Sequence, residues 1–330
     1  MAGPEVSIII VNHNTAPYLR RCLATVIDAA APYPTEIVVV DNASADGSCA
    51  LVRAEFPRCH LVESHENRGF ANAVNRALAI TSAPMVLLLN PDTELSPDAL
   101  SVLVGTLRDR PRVAAVGCRL LHADGSLQPS AFRFPTMLFE CAGILGLDAM
   151  LPLDRIRRHR WLGKILPASG HFDDHASARE VDFALAACLL VRREALVATG
   201  GLDERYFLYY EDIDLGRSLQ SAGWTSWFTP EATILHHESV AARQNLRTAF
   251  RERHRSRLLY FSKHHGRGTR AAIRVTMAMS VGTQLLVLPV RRLLARRSRS
   301  RTDGKVAVSL PDVADYIAVL RYCWPSTLSA

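Results

Sequence analysis

The stretches VSIIIVNHN (residues 6–14) and EIVVVDNASADGS (residues 36–48) decide the fold of this 330-residue chain. Each begins with an apolar run, typical of a strand that is buried on both faces, and then becomes polar. A helical pattern over residues 17–30 separates the two stretches. Strand, helix and strand in this order predict a β-α-β unit, and therefore an α/β fold with a mostly parallel central sheet.

The alternation of strand and helix patterns continues beyond these stretches. Further strands are predicted over residues 60–63, 85–89, 181–192, 224–228 and 232–236, and further helices over residues 46–56, 69–80, 97–108 and 210–222. Ser44 is the expected N-cap of the helix at 46–56. We therefore predict one α/β domain over residues 1–245, followed by a different region over residues 246–330.

Polar residues stand where three of the predicted strands end. Asn12 follows the first strand, Asp41 the second, and Asn90 and Asp92 the strand at 85–89. Because ligands bind beyond the carboxyl ends of parallel strands, these residues predict a ligand cleft. Asp41 could accept a hydrogen bond from a pyrimidine imide, and Asp92 could bind Mg²⁺ or Mn²⁺. A helix cap at Asp41 and a turn at Pro91 are the alternatives.

A cluster of acids and aromatic rings lies within GGLDERYFLYYEDIDLGR (residues 200–217). Carboxylates beside apolar surface have raised proton affinity, which suits a general base at neutral pH. A helix start with acids near its positive end explains the same pattern. His236 closes a predicted strand, and an imidazole there could be a metal ligand, with His237 as the alternate.

Cysteines and short motifs exclude several classes of protein. The seven cysteines are scattered without a C-x-x-C pair, which argues against a zinc site and favours a reducing compartment. The chain has no G-x-G-x-x-G, no P-loop and no G-x-S-x-G motif. A strand begins almost at once, with no basic n-region before it, so we expect no signal peptide.

Basic charge is concentrated late in the chain. Residues 253–302 contain 13 Lys or Arg and no acid, so the remainder carries 26 basic and 32 acidic residues, a net charge of −6. Residues 275–290 are uncharged and mostly apolar, and six arginines follow between 291 and 301. This pattern predicts a helix lying in the interface of an anionic membrane. A buried helix with a solvated tail is the alternative; a nucleic-acid surface would interleave aromatics among the arginines.

From about residue 5 to residue 240 the sequence resembles family 2 glycosyltransferases of the GT-A fold. The resemblance is greatest to bacterial rhamnosyltransferase-like members that act on polyprenol-linked acceptors. It rests on segments 6–14, 40–48, 66–71 with Asn75, 90–92, 125–126 with Ser130, 200–217, 222–224 and 236–237. It implies a Rossmann-like sheet flanked by helices, with a C-terminal helical, membrane-associating extension.

The resemblance also implies a role for individual residues. Asp212 corresponds to the catalytic base, with Glu211 beside it. Asp92 corresponds to the last acid of the metal-binding D-x-D motif, where Asn90 replaces the first acid, and His236 resembles a metal-side histidine. The implied nucleotide-sugar-binding set is Asn12, Asn14, Asp41, Ser44, Asp46, Asn67, Arg68, Asn75 and Asn90. The implied acceptor or support set is Ser130, Asp214 and Arg217.

The resemblance therefore implies an inverting, metal-dependent transferase at the cytoplasmic face of the membrane. The expected donor is dTDP-L-rhamnose, with UDP-galactofuranose, other UDP-sugars and GDP-mannose as alternatives. The expected acceptor is a polyprenyl-diphosphate-linked glycan of cell-wall or surface-polysaccharide synthesis, and no nucleic acid is expected as a partner. A non-catalytic protein that binds sugar nucleotides is the alternative from a different class.

Overall fold

A computed structural model describes residues 3–147, 175–237, 245–298 and 311–323, with side chains to residue 286 in the third range. The chain divides into two compact units, residues 1–134 with 169–241 and residues 135–168 with 242–330. Of the described residues, 135–147 fall in the second unit, whereas the sequence pattern places them in the first domain.

The elements follow in this order. The first half contains β1 (Val6–Asn12), α1 (Ala16–Ala30), β2 (Thr35–Asp41), α2 (Ser48–Glu55), β3 (His60–Glu63), α3 (Phe70–Ile80), β4 (Met85–Leu89), β5 (Thr93–Leu95), α4 (Ala99–Arg108), β6 (Val113–Leu121), β7 (Leu127–Gln128), β8 (Ala131–Phe132) and α5 (Met137–Ile144). The second half contains β9 (Arg179–Val181), β10 (Phe183–Ala184), β11 (Cys188–Arg192), α6 (Arg193–Ala198), α7 (Glu211–Ser221), β12 (Thr225–His236), α8 (Leu246–His264), α9 (Arg267–Ser298) and α10 (Val313–Tyr322). Of these, α5 and α8 to α10 belong to the second unit.

The central sheet of the first unit has the strand order β3-β2-β1-β4-β11-β6-β12-β5. The first four strands are parallel, as are β6 and β12, whereas β11 runs antiparallel to both β4 and β6. The α/β class and the helix-flanked sheet are therefore confirmed. The sheet is mixed, because β11 enters it without a crossover helix that would make it parallel.

Alternate residues of the central strands build two cores, one on each face of the sheet. Ile8, Ile10, Leu87 and Leu89 face one way and pack with apolar residues of α1 and α4. Ile9, Val11, Val86 and Leu88 face the other way and pack with residues of α3, α6 and α7. Burial on both faces explains why these strands read as continuous apolar runs.

The strand register brings the predicted polar ends to one edge. Asn12 pairs directly with Asp41 across β1 and β2, and Ile10 pairs with Leu89 across β1 and β4. Farther along the sheet, Thr93 of β5 pairs with His236 of β12. The strand ends therefore lie along a single edge, as the parallel arrangement predicts.

Three local predictions differ from the structure. The second helix begins at Ser48 after Gly47, whose φ of 88° is left-handed, so Ser44 is not its N-cap. The strands at 224–228 and 232–236 form one strand, β12, with an irregular register between Thr229 and Thr233. The strand over 181–192 is three short strands, because residues 183–184 pair with β8 in a separate small sheet.

The elements that the structure describes in the second unit are all helices. Asp315 of α10 is fully buried and pairs with Arg247 and Arg251 of α8, at 2.7 Å and 2.5 Å. Ser280 of α9 donates to the carbonyl of Ile144 at the end of α5, at 2.7 Å. Within the described ranges, none of the helices combines the length and the apolar character needed to cross a membrane.

Replacing Gly216 of α7 with alanine should lower the free energy of unfolding by about 1–3 kcal/mol, the usual cost of overpacking. A Cβ there would lie 2.6 Å from Phe183 Cβ and 2.9 Å from the Asp182 carbonyl oxygen. Gly105→Ala in α4 is the matched control, because its Cβ would meet open space. It should be neutral or stabilising by up to about 1 kcal/mol. Denaturant unfolding measures both; equal stabilities would contradict the close packing of α7.

Candidate active site

A hydrogen-bonded group joins the ends of β1 and β2. Asn12 Nδ2 donates to Asp41 Oδ2 at 2.8 Å and to Ser44 Oγ at 3.0 Å, while Asp41 Oδ1 accepts from the Ser44 backbone at 2.8 Å. Asn12 and Asp41 are both buried. Carboxylate oxygens have further lone pairs, so Asp41 can still accept a hydrogen bond from a ligand at this edge.

The loop after β2 is held by two more of the predicted residues. Asn14, at a left-handed φ of 54°, accepts from the Ala45 backbone through Oδ1, and its own backbone donates to Ser44 Oγ. Asp46 accepts from the Ala16 backbone at 2.8 Å and from Ser48. Partial burial acts to raise the pKa of Asp46, but hydrogen bonds from Ser48 and Ala16 hold it below its usual range.

Asp92 and His236 meet at the far end of the same edge. His236 Nε2 lies 3.3 Å from Asp92 Oδ1 and 3.4 Å from Asn90 Nδ2, and both Asp92 and His236 are buried. His236 Nδ1 is 2.9 Å from Gln128 Oε1, an acceptor, so this nitrogen carries the proton. The other ring nitrogen, Nε2, faces the Asp92 carboxylate.

This pair has the chemistry of part of a metal site. Two acceptors at 3.3 Å are stabilised by a proton or a cation between them. Carboxylate and imidazole suit Mn²⁺-type ions, and such ions commonly complete their coordination with substrate phosphates and water. Within the described ranges, three or more His, Cys, Asp or Glu side chains do not cluster as a metal site. The residues therefore fit an ion that is held jointly with a ligand.

The alternate histidine, His237, is engaged elsewhere. Its Nε2 lies 2.7 Å from Glu94 Oε1, and its ring meets the Tyr18 ring edge-on. Its backbone N–H donates to the Asp92 carbonyl at 2.9 Å. Of the two histidines, His236 is therefore the one whose side chain faces Asp92.

Glu211 and Asp212 are the first two residues of α7. The Asp212 carboxylate accepts from the backbone N–H of Ile213, at 2.8 Å, and of Ala186. The next residue, Ala187, accepts from the Asn90 backbone at 2.9 Å. Residues 186–187 therefore connect the acids of α7 with the edge that carries Asn90 and Asp92.

The two acids share an environment that favours protonation. Burial raises the pKa of Asp212 to about 6, against the lowering effect of its backbone hydrogen bonds. Burial, and then the charge of Asp212, raise the pKa of Glu211 to about 8. Glu211 Oε2 is shielded from solvent and has no hydrogen-bond partner among the described residues. Burial therefore favours the protonated form of both carboxyl groups, and more strongly that of Glu211 than that of Asp212.

The backbone before these acids is strained. Tyr209 and Tyr210 have φ values of 68° and 69°, a left-handed conformation that is uncommon outside glycine. Such residues cost on the order of 1–3 kcal/mol each and persist where surrounding contacts enforce them. Tyr206, fully buried, supplies one such contact by donating to Asp214 Oδ1 at 3.2 Å.

The remaining predicted residues make contacts of their own. Ser130 is buried and donates to the Cys118 carbonyl at 2.6 Å. The Arg217 guanidinium lies 4.1 Å from the centre of the Phe134 ring. Asn67 accepts from the Gly69 backbone at 2.9 Å, and exposed Arg68 lies 3.7 Å from Glu66. Asn75 faces residues 202–204.

Two contributors to the site have no signal in the sequence. Gln128 lies in a two-residue strand, and only the register of β7 beside β6 brings it to His236. Ala186 acts through its backbone N–H, which no side-chain pattern reveals. The Ala186 side chain is buried.

The chain belongs to glycosyl transferase family 2, because the model of that family matches residues 7–196. It is therefore a glycosyltransferase, which confirms the resemblance seen in the motifs. The N-acetylglucosaminyl-diphospho-decaprenol L-rhamnosyltransferase of Mycobacterium tuberculosis is 28% identical over 317 residues, which cover 90% of this chain and 98% of that relative.

Two solved structures share the fold. The mannosyltransferase PcManGT from Pyrobaculum calidifontis, in complex with GDP-Man and Mn²⁺, has a TM-score of 0.54 at 20% identity, covering 99% of this chain and 89% of that one. GalNAc-T7 with UDP, GalNAc and Mn²⁺ has a TM-score of 0.51 at 15% identity, covering 71% and 44%. At these identities the likeness concerns the fold alone, and it matches the predicted GT-A architecture.

Replacing Asp212 with asparagine should raise the melting temperature, and the gain should grow between pH 5 and pH 8. The folded-state pKa of about 6 lies above the ordinary value of 3.8, so this group's favourable contribution is lost as pH rises through 6. Asparagine cannot ionise, so it avoids that loss, and we expect a gain of about 2 °C or more at pH 8.

Asp109→Asn is the control for the substitution itself, because Asp109 is exposed at the end of α4. Thermal unfolding followed by circular dichroism measures both variants. If the melting temperature of Asp212→Asn rose by the same amount at pH 5 and at pH 8, burial would not be what raises the pKa of Asp212.

Proposed function

We propose that this chain transfers L-rhamnose from dTDP-L-rhamnose to a hydroxyl of a polyprenyl-diphosphate-linked glycan, with inversion at the anomeric carbon. The observation that carries the chemistry is the Glu211–Asp212 pair at the start of α7, where the Asp212 carboxylate is held by backbone N–H groups and burial raises the pKa of both acids. The donor and acceptor follow the rhamnosyltransferase relative, which aligns with this chain over nearly the whole length of both. The reaction would belong to cell-wall or surface-polysaccharide synthesis.

Asp212 is the proposed general base. A carboxylate with a pKa of about 6 is ionised at neutral pH and binds a proton more strongly than an exposed aspartate does. It accepts the proton of the acceptor hydroxyl while that oxygen attacks the anomeric carbon. The bond to the nucleotide diphosphate breaks on the opposite face, so one displacement inverts the configuration. The raised pKa of Glu211 favours its neutral form, which limits the negative charge beside the base.

Asp41 is the proposed reader of the nucleobase. Its carboxylate is fixed by Asn12 and by the Ser44 backbone, so its remaining lone pairs have a defined direction. The imide N–H of thymine or uracil is a donor that such an acceptor would select. The N1–H of guanine is also a donor, so Asp41 by itself does not separate the proposed dTDP-sugar from a GDP-sugar.

Asp92 and His236, with Asn90 beside them, would hold a divalent cation, Mg²⁺ or Mn²⁺. When bound, the ion neutralises charge on the departing diphosphate. Gln128 fixes the His236 tautomer by accepting from Nδ1, so that Nε2 remains a ligand. The buried position of Asp92 keeps its carboxylate close to this nitrogen.

We also propose that α9 binds the surface of an anionic membrane, which would place the enzyme peripherally at the cytoplasmic face. Ile273, Met277 and Val281 on one side of α9 are buried within the second unit. Val275, Met279 and Leu286 lie on another side and are 58%, 59% and 80% exposed. Positions 275, 279 and 286 share a face of a helix. An exposed apolar stripe of this kind marks an interaction surface.

The basic charge of this part of the chain favours an anionic bilayer as the partner of the apolar stripe. The 13 basic residues and no acids in residues 253–302 complement anionic headgroups. Exposed Leu138 and Leu145 of the neighbouring α5 region add apolar surface to the same unit. Arg299 and Arg301, which also belong to the predicted basic flank, lie outside the described residues.

Transfer should be observed when the purified protein is given dTDP-L-rhamnose and a polyprenyl-diphosphate-linked N-acetylglucosamine, with the product identified by mass.

Asp212→Asn should lower kcat by about 10³-fold while donor binding persists, because only the proton acceptor is lost. The acid limb of kcat/KM should fall below about pH 6, since the base must be ionised. EDTA should abolish turnover and Mn²⁺ should restore it.

A parallel panel of UDP-galactofuranose, UDP-glucose and GDP-mannose tests the alternatives to the proposed donor. Transfer of another sugar in preference to rhamnose would overturn the donor. Nucleotide-sugar binding without turnover on any acceptor would indicate a non-catalytic protein. Full activity of Asp212→Asn would remove Asp212 as the base.

The membrane proposal predicts flotation with vesicles that contain phosphatidylglycerol but not with phosphatidylcholine alone. Met279→Gln combined with Leu286→Gln should weaken binding about tenfold or more, because two exposed apolar side chains no longer insert. Val197→Gln is the matched control, since Val197 is 58% exposed in the first unit. Equal binding of both variants would contradict the stripe, and retention on duplex DNA would favour a nucleic-acid surface.

A further inference from the structure

Asn75 of α3 uses both of its side-chain amide hydrogens to bind residues 202–204, which precede the proposed catalytic acids. Its Nδ2 donates to the Leu202 carbonyl at 2.8 Å and to Glu204 Oε1 at 3.0 Å, while its Oδ1 accepts from the Leu202 backbone at 3.0 Å. An asparagine amide has two donor hydrogens, and both are used here. In this arrangement Asn75 has no donor left for a nucleotide sugar.

Glu204 joins a second asparagine of α3 to the same contact. Its Oε2 accepts from Asn72 Nδ2 at 2.6 Å, and Asn72 is buried. Hydrogen bonds from Asn75 and then Asn72 hold the pKa of Glu204 below its ordinary range. The carboxylate is therefore ionised, and hydrogen bonds to an ionised acceptor are stronger than those between neutral groups.

Glycines allow α3 and this chain to approach closely. The Phe70 backbone donates to the Phe207 carbonyl at 3.1 Å. A Cβ on Gly69, which has a φ of +87°, would collide with that carbonyl oxygen. A Cβ on Gly201, at a φ of +78°, would lie 2.5 Å from Asn75 Oδ1. Backbone contact at this distance leaves no room for the segment to shift.

The held segment, residues 201–207, leads directly to the strained backbone. Tyr209 and Tyr210 follow it in the left-handed conformation, and Glu211 and Asp212 come next. A left-handed pair of tyrosines persists only when contacts on its flanks enforce it. The contacts to α3 supply that constraint on one side, and the hydrogen bond from Tyr206 to Asp214 supplies it on the other.

We propose that Asn75, with Asn72 and Glu204, is a positioning residue for the Glu211–Asp212 pair. The three side chains hold residues 201–207 on α3 and so keep the left-handed turn that aims the two acids. This inference rests on the proposed role of Asp212 as the base. It assigns Asn75 a function different from the donor contact that the family resemblance implies.

Asn75→Ala separates the two roles through kcat and donor affinity. A positioning role predicts that kcat falls about tenfold or more, because small misplacements of a catalytic group are costly. The Kd for the nucleotide sugar, measured by calorimetry, should change less than about twofold. Asn75→Asp keeps the acceptor but loses both donors, so it should be no better. A weakened donor Kd with kcat unchanged at saturation would overturn the proposal.

Arg76→Ala is the control within the same helix. Arg76 follows Asn75 directly, and its guanidinium contacts Ser64 and the Glu63 carbonyl instead of residues 201–207. It should retain the kcat of the parent enzyme. Circular dichroism and thermal unfolding establish that each variant is folded before its kinetics are compared.

Hydrogen exchange tests the proposal without depending on activity. Amides of residues 206–213 should exchange at least about tenfold faster in Asn75→Ala, whereas those of β1 and β4 should not change. If the parent enzyme transferred no sugar from any donor, the role of Asp212 as the base would be in doubt. This measurement would still test whether Asn75 holds residues 201–207 on α3. Unchanged exchange over residues 206–213 would overturn it.

Discussion

The burial of the central strands on both faces is the constraint on which the site depends. Strands β1 and β4 carry apolar side chains toward two separate cores. A polar side chain in the middle of either strand would therefore be buried in a core, which is unfavourable. Polar chemistry is therefore confined to the strand ends. The parallel register of β1, β2 and β4 gathers those ends at one edge, where Asn12, Asp41 and Asn90 lie.

This constraint also explains what could be predicted from the sequence. Continuous apolar runs ending in polar residues specify buried parallel strands, and the helices between them follow from amphipathic patterns. Asp41, Asp92 and Asp212 could be selected because each lies at an element end, where a local pattern is informative. The same reasoning identified the strand that ends in His236.

The parts that could not be predicted depend on tertiary register or on backbone atoms. Gln128 reaches His236 only because β7 pairs with β6. The insertion of β11 antiparallel between β4 and β6 depends on pairing energies that no local pattern carries. The contact of Asn75 with residues 202–204 spans 127 positions in the chain, and an asparagine in a helix gives no sign of it.

Asp46 links the starts of two helices at the edge of the sheet that carries Asp41. One carboxylate accepts from Ala16, the first residue of α1, and from Ser48, the first residue of α2. The starts of two helices are thereby tied through one side chain, so neither can fray without releasing the other. Local opening at this edge therefore involves both helix starts together. A ligand that bound near Asp41 would therefore meet two helix starts that open only together.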